Sequence, residues 1–136
     1  YYEKRPYLSE MHRDRMLAEI DVAAEIGLET FVIDTGWYSR TGEWEVDRGR
    51  FPGLLQDVRK RLEGYGMRLG LWFDPVVAAK TSRPVVEHPE WCQTRHGKIV
   101  ERGPIWETEE AVGMCLCTDW LEYFVLQIER LHREVG

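Results

Sequence analysis

Apolar residues recur at three- and four-residue steps over Met16, Leu17, Ile20, Ala23 and Ala24. That is the stripe of a helix buried on one side, with Ser9 available as its cap and Gly27 as its stop. Thr30-Phe31-Val32-Ile33 follows, a β-branched and aromatic run without alternation, the pattern of a short strand buried on both faces. Tyr38 to Gly53 is polar, carries three glycines and Pro52, and reads as a long loop holding Trp44 and Phe51. Helical spacing returns at Leu54, Leu55, Val58 and Leu62, closed by Gly64 and Gly66. A second buried strand is expected over Arg68 to Phe73, ended by Asp74-Pro75.

From Val76 to Val112 no period survives. Five of the six prolines lie between Pro52 and Pro104, and this stretch reads as an irregular excursion with a turn at His88-Pro89-Glu90-Trp91. Val112 to Cys117 suits a third short strand or an extended loop edge. Thr118 then caps a helix with Leu121, Phe124, Val125, Ile128 and Leu131 on one face. Helices alternating with uniformly apolar strands call for parallel strands covered by helices. The expected class is α/β, a partial TIM-type (β/α) barrel. A complete barrel takes about 250 residues, so the 136 residues here form a single, incomplete segment of one.

Composition narrows the function. With 43% hydrophobic and 12% aromatic residues the chain has enough apolar mass for a core. A net charge of −6 with both signs interspersed offers no basic stripe to a nucleic acid. No apolar run reaches the roughly 20 residues of a membrane span, and the start, Tyr1-Tyr2-Glu3-Lys4-Arg5, lacks a leader's apolar core. The expectations are a trimmed piece without its initiator Met, cytoplasmic rather than secreted, with the rest of a barrel or further copies of itself as partners. The odd count of three cysteines excludes a closed disulfide framework. Cys115 and Cys117 fall on one face of the expected strand, and all three thiols are expected buried and free. His88 and Cys92 straddle Pro89, so they share no helical face for a metal; no metal and no cofactor is expected.

In a β/α barrel, chemistry gathers at the C-terminal ends of the strands. Two such ends carry a carboxylate and an indole: Asp34-Thr35-Gly36-Trp37 and Trp72-Phe73-Asp74-Pro75. Carboxylate oxygens accept hydroxyl hydrogen bonds and an aromatic face covers the C–H side of a sugar ring. Asp34, Trp37, Trp72 and Asp74 are therefore candidate substrate-binding residues, joined by Trp44, which has no evident core to enter from its polar loop. Each also has a structural reading: the aspartates as caps of their own turns, the indoles as core. Trp91, Trp106 and Trp120 read as structural, His88 as a turn residue bonded to backbone, and Glu107, Glu109 and Glu110 as a solvated run.

Ile33-Asp34-Thr35-Gly36-Trp37, Gly42-Glu43-Trp44-Glu45-Val46-Asp47 with Arg50-Phe51-Pro52-Gly53-Leu54, Gly66 to Pro75, and His88-Pro89-Glu90-Trp91 resemble, in order and spacing, successive blocks of the glycoside hydrolase family 36 α-galactosidases, the melibiase type. The resemblance covers nearly the whole chain. It implies the N-terminal half of a barrel that cleaves terminal α-galactosides with retention, its ligand an α-linked oligosaccharide or glycoside. It also implies that Asp34 matches the first of two sugar-binding aspartates and Trp72 an indole of the same subsite. The nucleophile of that family lies in a Lys-Trp-Asp motif, absent here, and the acid/base follows it, so no catalytic residue is expected within this segment. Thr35 stands where the family has a second aspartate, Asp74 where it has a glutamate, and no arginine near Ala111-Val112 matches one the family carries. The Phe-Pro block and the Gly-Leu-Trp strand are shared with the family 31 α-glucosidases and α-xylosidases, the alternative within enzymes. A non-catalytic carbohydrate-binding remnant is the alternative outside them.

Overall fold

The computed structural model describes residues 7–105 and 109–135, without the side chains of Tyr7, Leu8 and Glu109. Trp106 and Glu107 lie outside the described residues, as does the side chain of Glu109. The chain forms two compact units.

The first unit draws on Tyr1–Trp37, Val46–Trp72 and Val135. It contains α1 (Tyr7–Glu10), α2 (Arg13–Glu25), β1 (Thr30–Ile33), α3 (Gln56–Gly64) and β2 (Arg68–Leu71). Ser9 sits inside α1, and the cap of α2 is His12, whose ring nitrogen accepts the Arg15 amide at 3.4 Å. Both longer helices end by the same device. Beyond α2, Leu28 N–H bonds Ala23 C=O and Gly27 has φ +78; beyond α3, Met67 N–H bonds Leu62 C=O and Gly66 has φ +69. A left-handed residue after the last turn needs glycine, and its following amide satisfies a carbonyl the helix has orphaned. Each helix is thereby turned straight into a strand.

β1 and β2 pair in parallel, from Thr30↔Arg68 to Ile33↔Leu71. At Val32↔Gly70 the strands approach so closely that a Cβ on Gly70 would meet a Val32 methyl at 2.9 Å. Ile20 and Ala23 of α2, Val58 and Leu62 of α3, and Ile33, Phe51 and Leu55 are all buried. The expectation that both strands are buried on both faces does not hold: Val32 is 57% exposed and only Ile33 of β1 is buried. This sheet has two strands, and a pair cannot cover both faces of its own members. Helix α3 also starts later than its apolar spacing suggests. Leu54 and Leu55 precede it with φ +52 and +69, a left-handed strain that burial of Leu55 offsets.

On the surface Asp21 of α2 binds Arg61 of α3 through both carboxylate oxygens, at 2.6 and 2.7 Å, and accepts the Tyr65 hydroxyl at 2.9 Å. The Arg61 bond, then the Tyr65 bond, holds the Asp21 carboxyl below its ordinary value of 3.8. As pH falls, the unfolded chain takes up this proton first, so the clamp's stabilisation is full above that value and gone below the native one. The gap in melting temperature between the natural chain and Asp21→Asn is therefore expected to be widest near neutral pH and to close in acid. A gap independent of pH would show that the clamp contributes nothing through its charge.

The second unit, Tyr38–Glu45 with Phe73–Glu134, is built differently. The stretch read as irregular is ordered. It holds β3 (Val77–Ala79), α4 (Arg83–Glu87), a 3-10 turn (Pro89–Trp91), β4 (Thr94–Arg95), β5 (Lys98–Ile99), β6 (Glu101–Ile105) and β7 (Glu109–Gly113), followed by α5 (Trp120–Val135). Strands β3, β7 and β6 form an antiparallel sheet with β7 in the middle. β4 and β5 make a hairpin whose two-residue turn, His96-Gly97, has φ +52 and +76, the left-handed pair that suits a tight turn between twisted strands. The strand expected over Val112 to Cys117 ends at Gly113. Cys115 and Cys117 follow it without sharing a strand face, and of the three thiols Cys92 alone is buried, Cys117 being exposed. Burial, then the Glu90 charge, pushes the Cys92 thiol up.

The fold is thus mixed α/β. One parallel pair flanked by helices carries the expected pattern, the remaining sheets are small and antiparallel, and no closed barrel is present among the described residues.

Candidate functional site

The first strand end is a clamped turn. Trp72 N–H donates to Ile33 C=O at 2.9 Å, extending the parallel ladder by one rung and setting Trp72 beside the residue that precedes Asp34. Asp34 is exposed, and its Oδ1 accepts the Thr35 amide at 2.7 Å. Trp37 is fully buried and its indole N–H donates to Trp72 C=O at 3.0 Å. β1 and β2 therefore bring Asp34, Trp37 and Trp72 together. They do so in different roles: Trp37 has no face left for a ligand, while Asp34 is exposed and Trp72 half-buried. Thr35 is buried.

Trp44 and Asp74 belong to the second unit. Contrary to the expectation that Trp44 has no core to join, it is fully buried, with ring centroids 5.1 Å from Phe124, 5.6 Å from Trp120 and 5.9 Å from Phe73. Asp74 Oδ1 accepts the Val76 amide at 3.1 Å, the local turn bond its structural reading anticipated. Trp120 is buried with its indole N–H on Pro75 C=O at 2.7 Å, and Trp91 stacks on His88 at 4.0 Å. The His88 ring bonds the Glu90 carboxylate at 3.0 Å, so its partner is a side chain where backbone was expected. No local pattern marked Glu43 for burial; its carboxylate accepts the Arg83 amide at 2.8 Å, at the start of α4. Arg50, part of the Arg50-Phe51-Pro52-Gly53-Leu54 block but not singled out as a site residue, donates to Gly36 C=O at 2.9 Å.

Two clefts open on the first unit. One of about 250 Å³ runs along β1, with Met11, Met16, Phe31, Val32 and Ile33 as apolar walls and Asp34 at its edge. A larger one, about 440 Å³, lies between α2 and α3, where Arg13 and Arg61 are already held by Asp57 and Asp21. Neither is lined by Trp72.

A parallel strand pair flanked by helices, with a carboxylate and an indole at its tips, defines a mixed α/β protein. Residues 7–113 match the melibiase family, and the chain belongs to that family. It is 29% identical over 110 residues to the α-galactosidase Mel36A of Lactobacillus acidophilus, covering 69% of this chain and 15% of that protein. Over 77 residues it is 34% identical to the α-galactosidase AgaA of Geobacillus stearothermophilus, covering 52% of this chain and 11% of that protein. Its fold matches the α-galactosidase TtGalA of Thermus thermophilus, solved in complex with stachyose, with a TM-score of 0.74 and 26% identity over 89% of this chain and 27% of that one. The chain thus spans well under a third of these relatives' lengths.

Proposed function

We propose that this segment is the sugar-binding opening portion of the catalytic barrel of a retaining α-galactosidase, β1 and β2 being two neighbouring staves. Asp34 accepts hydrogen bonds from the hydroxyls of a terminal α-galactosyl unit and Trp72 covers the C–H side of the ring. Trp37 supports the pair from beneath. The observation that carries this reading is the final register pair Ile33↔Leu71, with Trp72 N–H on Ile33 C=O, which makes Asp34 and Trp72 neighbours at the ends of parallel strands. The TtGalA complex with stachyose supports an oligosaccharide ending in such a unit as the ligand.

Retaining hydrolysis takes two carboxyls about 5 Å apart flanking the bond, one as nucleophile and one as acid/base. These 136 residues contain no Lys-Trp-Asp, and the exposed carboxylate at the β1 tip, Asp34, has a binding role in this reading. The segment alone is expected to give no turnover of p-nitrophenyl α-galactoside above background, and the full-length protein that carries it is expected to cleave this substrate. Release of p-nitrophenol checks both. Turnover by the segment alone, or none by the full-length protein, would overturn the corresponding half.

A further inference from the structure

The turn that carries Asp34 is held in place by two residues that make no contact with sugar in the function proposed above. Asp47 Oδ1 accepts the amides of Gly49 and Arg50 at 2.8 and 3.1 Å, which folds the loop back on itself. From that fold the Asp47 amide donates to Trp37 C=O at 3.0 Å and Arg50 Nη1 donates to Gly36 C=O at 2.9 Å. Two consecutive carbonyls of the strand-end turn are therefore both satisfied by one short piece of loop. Asp47 Oδ2 lies 3.7 Å from Arg50 Nε and orients the guanidinium, in a pair whose side chains are 25% and 30% exposed and so better shielded than a surface pair. Gly36 has φ +103, a conformation that a side-chain-bearing residue rarely adopts and that the Arg50 bond helps to pin. On the other side Trp37 is tied to Trp72 C=O. Asp34 is thus fixed relative to Trp72 through Gly36 and Trp37, with Arg50 and Asp47 as the outer brace.

We infer that Arg50, oriented by Asp47, is a positioning residue for the sugar subsite: it sets the separation of the Asp34 carboxylate from the Trp72 indole and thereby the affinity for the galactosyl ring. The inference rests on the function proposed above. A group that only places binding residues acts equally on bound substrate and transition state, so its loss raises KM and leaves kcat in place.

The test is steady-state kinetics on p-nitrophenyl α-galactoside in the full-length protein, with melting temperatures recorded beside them. Arg50→Met is expected to raise KM by about tenfold, as a displaced hydrogen-bonding group would. kcat and the melting temperature should stay near those of the natural protein. Arg50→Lys, which keeps one donor for Gly36 C=O, should recover part of the loss. Asp47→Asn keeps the loop fold but loses the charge facing the guanidinium, and should give a smaller rise. If Arg50→Met does not fold, the Lys and Asn variants carry the test. A lowered melting temperature and lowered active fraction at unchanged KM would make Arg50 merely structural and overturn the inference. Impaired Asp34→Ala beside unimpaired Arg50 variants would overturn it while sparing the sugar site; an unchanged KM in Asp34→Ala would remove the site and the inference together.

Discussion

Truncating Trp44 to alanine is expected to destabilise the second unit by about 3–5 kcal/mol, the range for deleting a fully buried large aromatic. Trp44 has no exposed surface and meets Phe73, Trp120 and Phe124 edge-on or tilted, so the vacated volume is walled by rings that cannot collapse into it without leaving their own contacts. Its backbone is left-handed, φ +48, a strain that alanine inherits and no longer offsets with a packed side chain. Trp44→Phe separates packing from polarity. Among the described residues the buried Trp44 indole N–H has no hydrogen-bond partner, and an orphaned donor costs about 1–3 kcal/mol. Phenylalanine removes that donor while keeping most of the ring, so its loss should be well under that of alanine. Urea unfolding of the three proteins measures both differences. A cost below about 1 kcal/mol for Trp44→Ala would mean that the aromatic cluster is not a core.

In the full-length protein, Asp34→Ala and Trp72→Ala are each expected to weaken galactose binding by about 1–3 kcal/mol, roughly five- to 150-fold in Kd. The two changes should differ in character. In the proposed site Asp34 acts as an exposed acceptor, so Asp34→Asn, which keeps one acceptor oxygen and loses the charge, should fall between the natural residue and alanine. In the proposed site Trp72 acts through its face, so Trp72→Phe should retain part of the affinity. The Trp72 backbone still accepts the Trp37 indole in every Trp72 variant, because that bond uses the main-chain carbonyl. Loss of affinity at Trp72 would thus report the ring and not a collapsed turn. Calorimetric titrations with galactose that do not change in either alanine variant would take these residues out of the site.

The parts of the fold legible in the sequence are those set by local pattern. Both helix stops were readable because a glycine after an apolar stripe has one economical use, and both were found closed by left-handed glycines. β1 and β2 were readable as short apolar runs directly behind those stops. The strand-end location of Asp34 and Trp72 followed from the same punctuation. The two antiparallel sheets of the second unit were not legible: their strands are two to five residues long, one contains Pro104, and β3 finds its partner β7 more than thirty residues away. Nothing local distinguishes such segments from loop. The exposure of Leu121, Val125 and Ile128, which spacing sets on one face of α5, was equally beyond periodicity, which reports that a stripe exists and not what covers it.

By itself the sequence determined the order of helices and strands around β1 and β2, the residues at their tips, and through its four motif blocks the family. Only the tertiary structure decided which of those residues keep an accessible face. Asp34 and Trp72 do, whereas Trp37 is spent on a buried hydrogen bond and Trp44 is enclosed by rings of its own unit. The physical reason is that period and punctuation encode which side of an element is apolar, while burial depends on what the rest of the chain brings against that side.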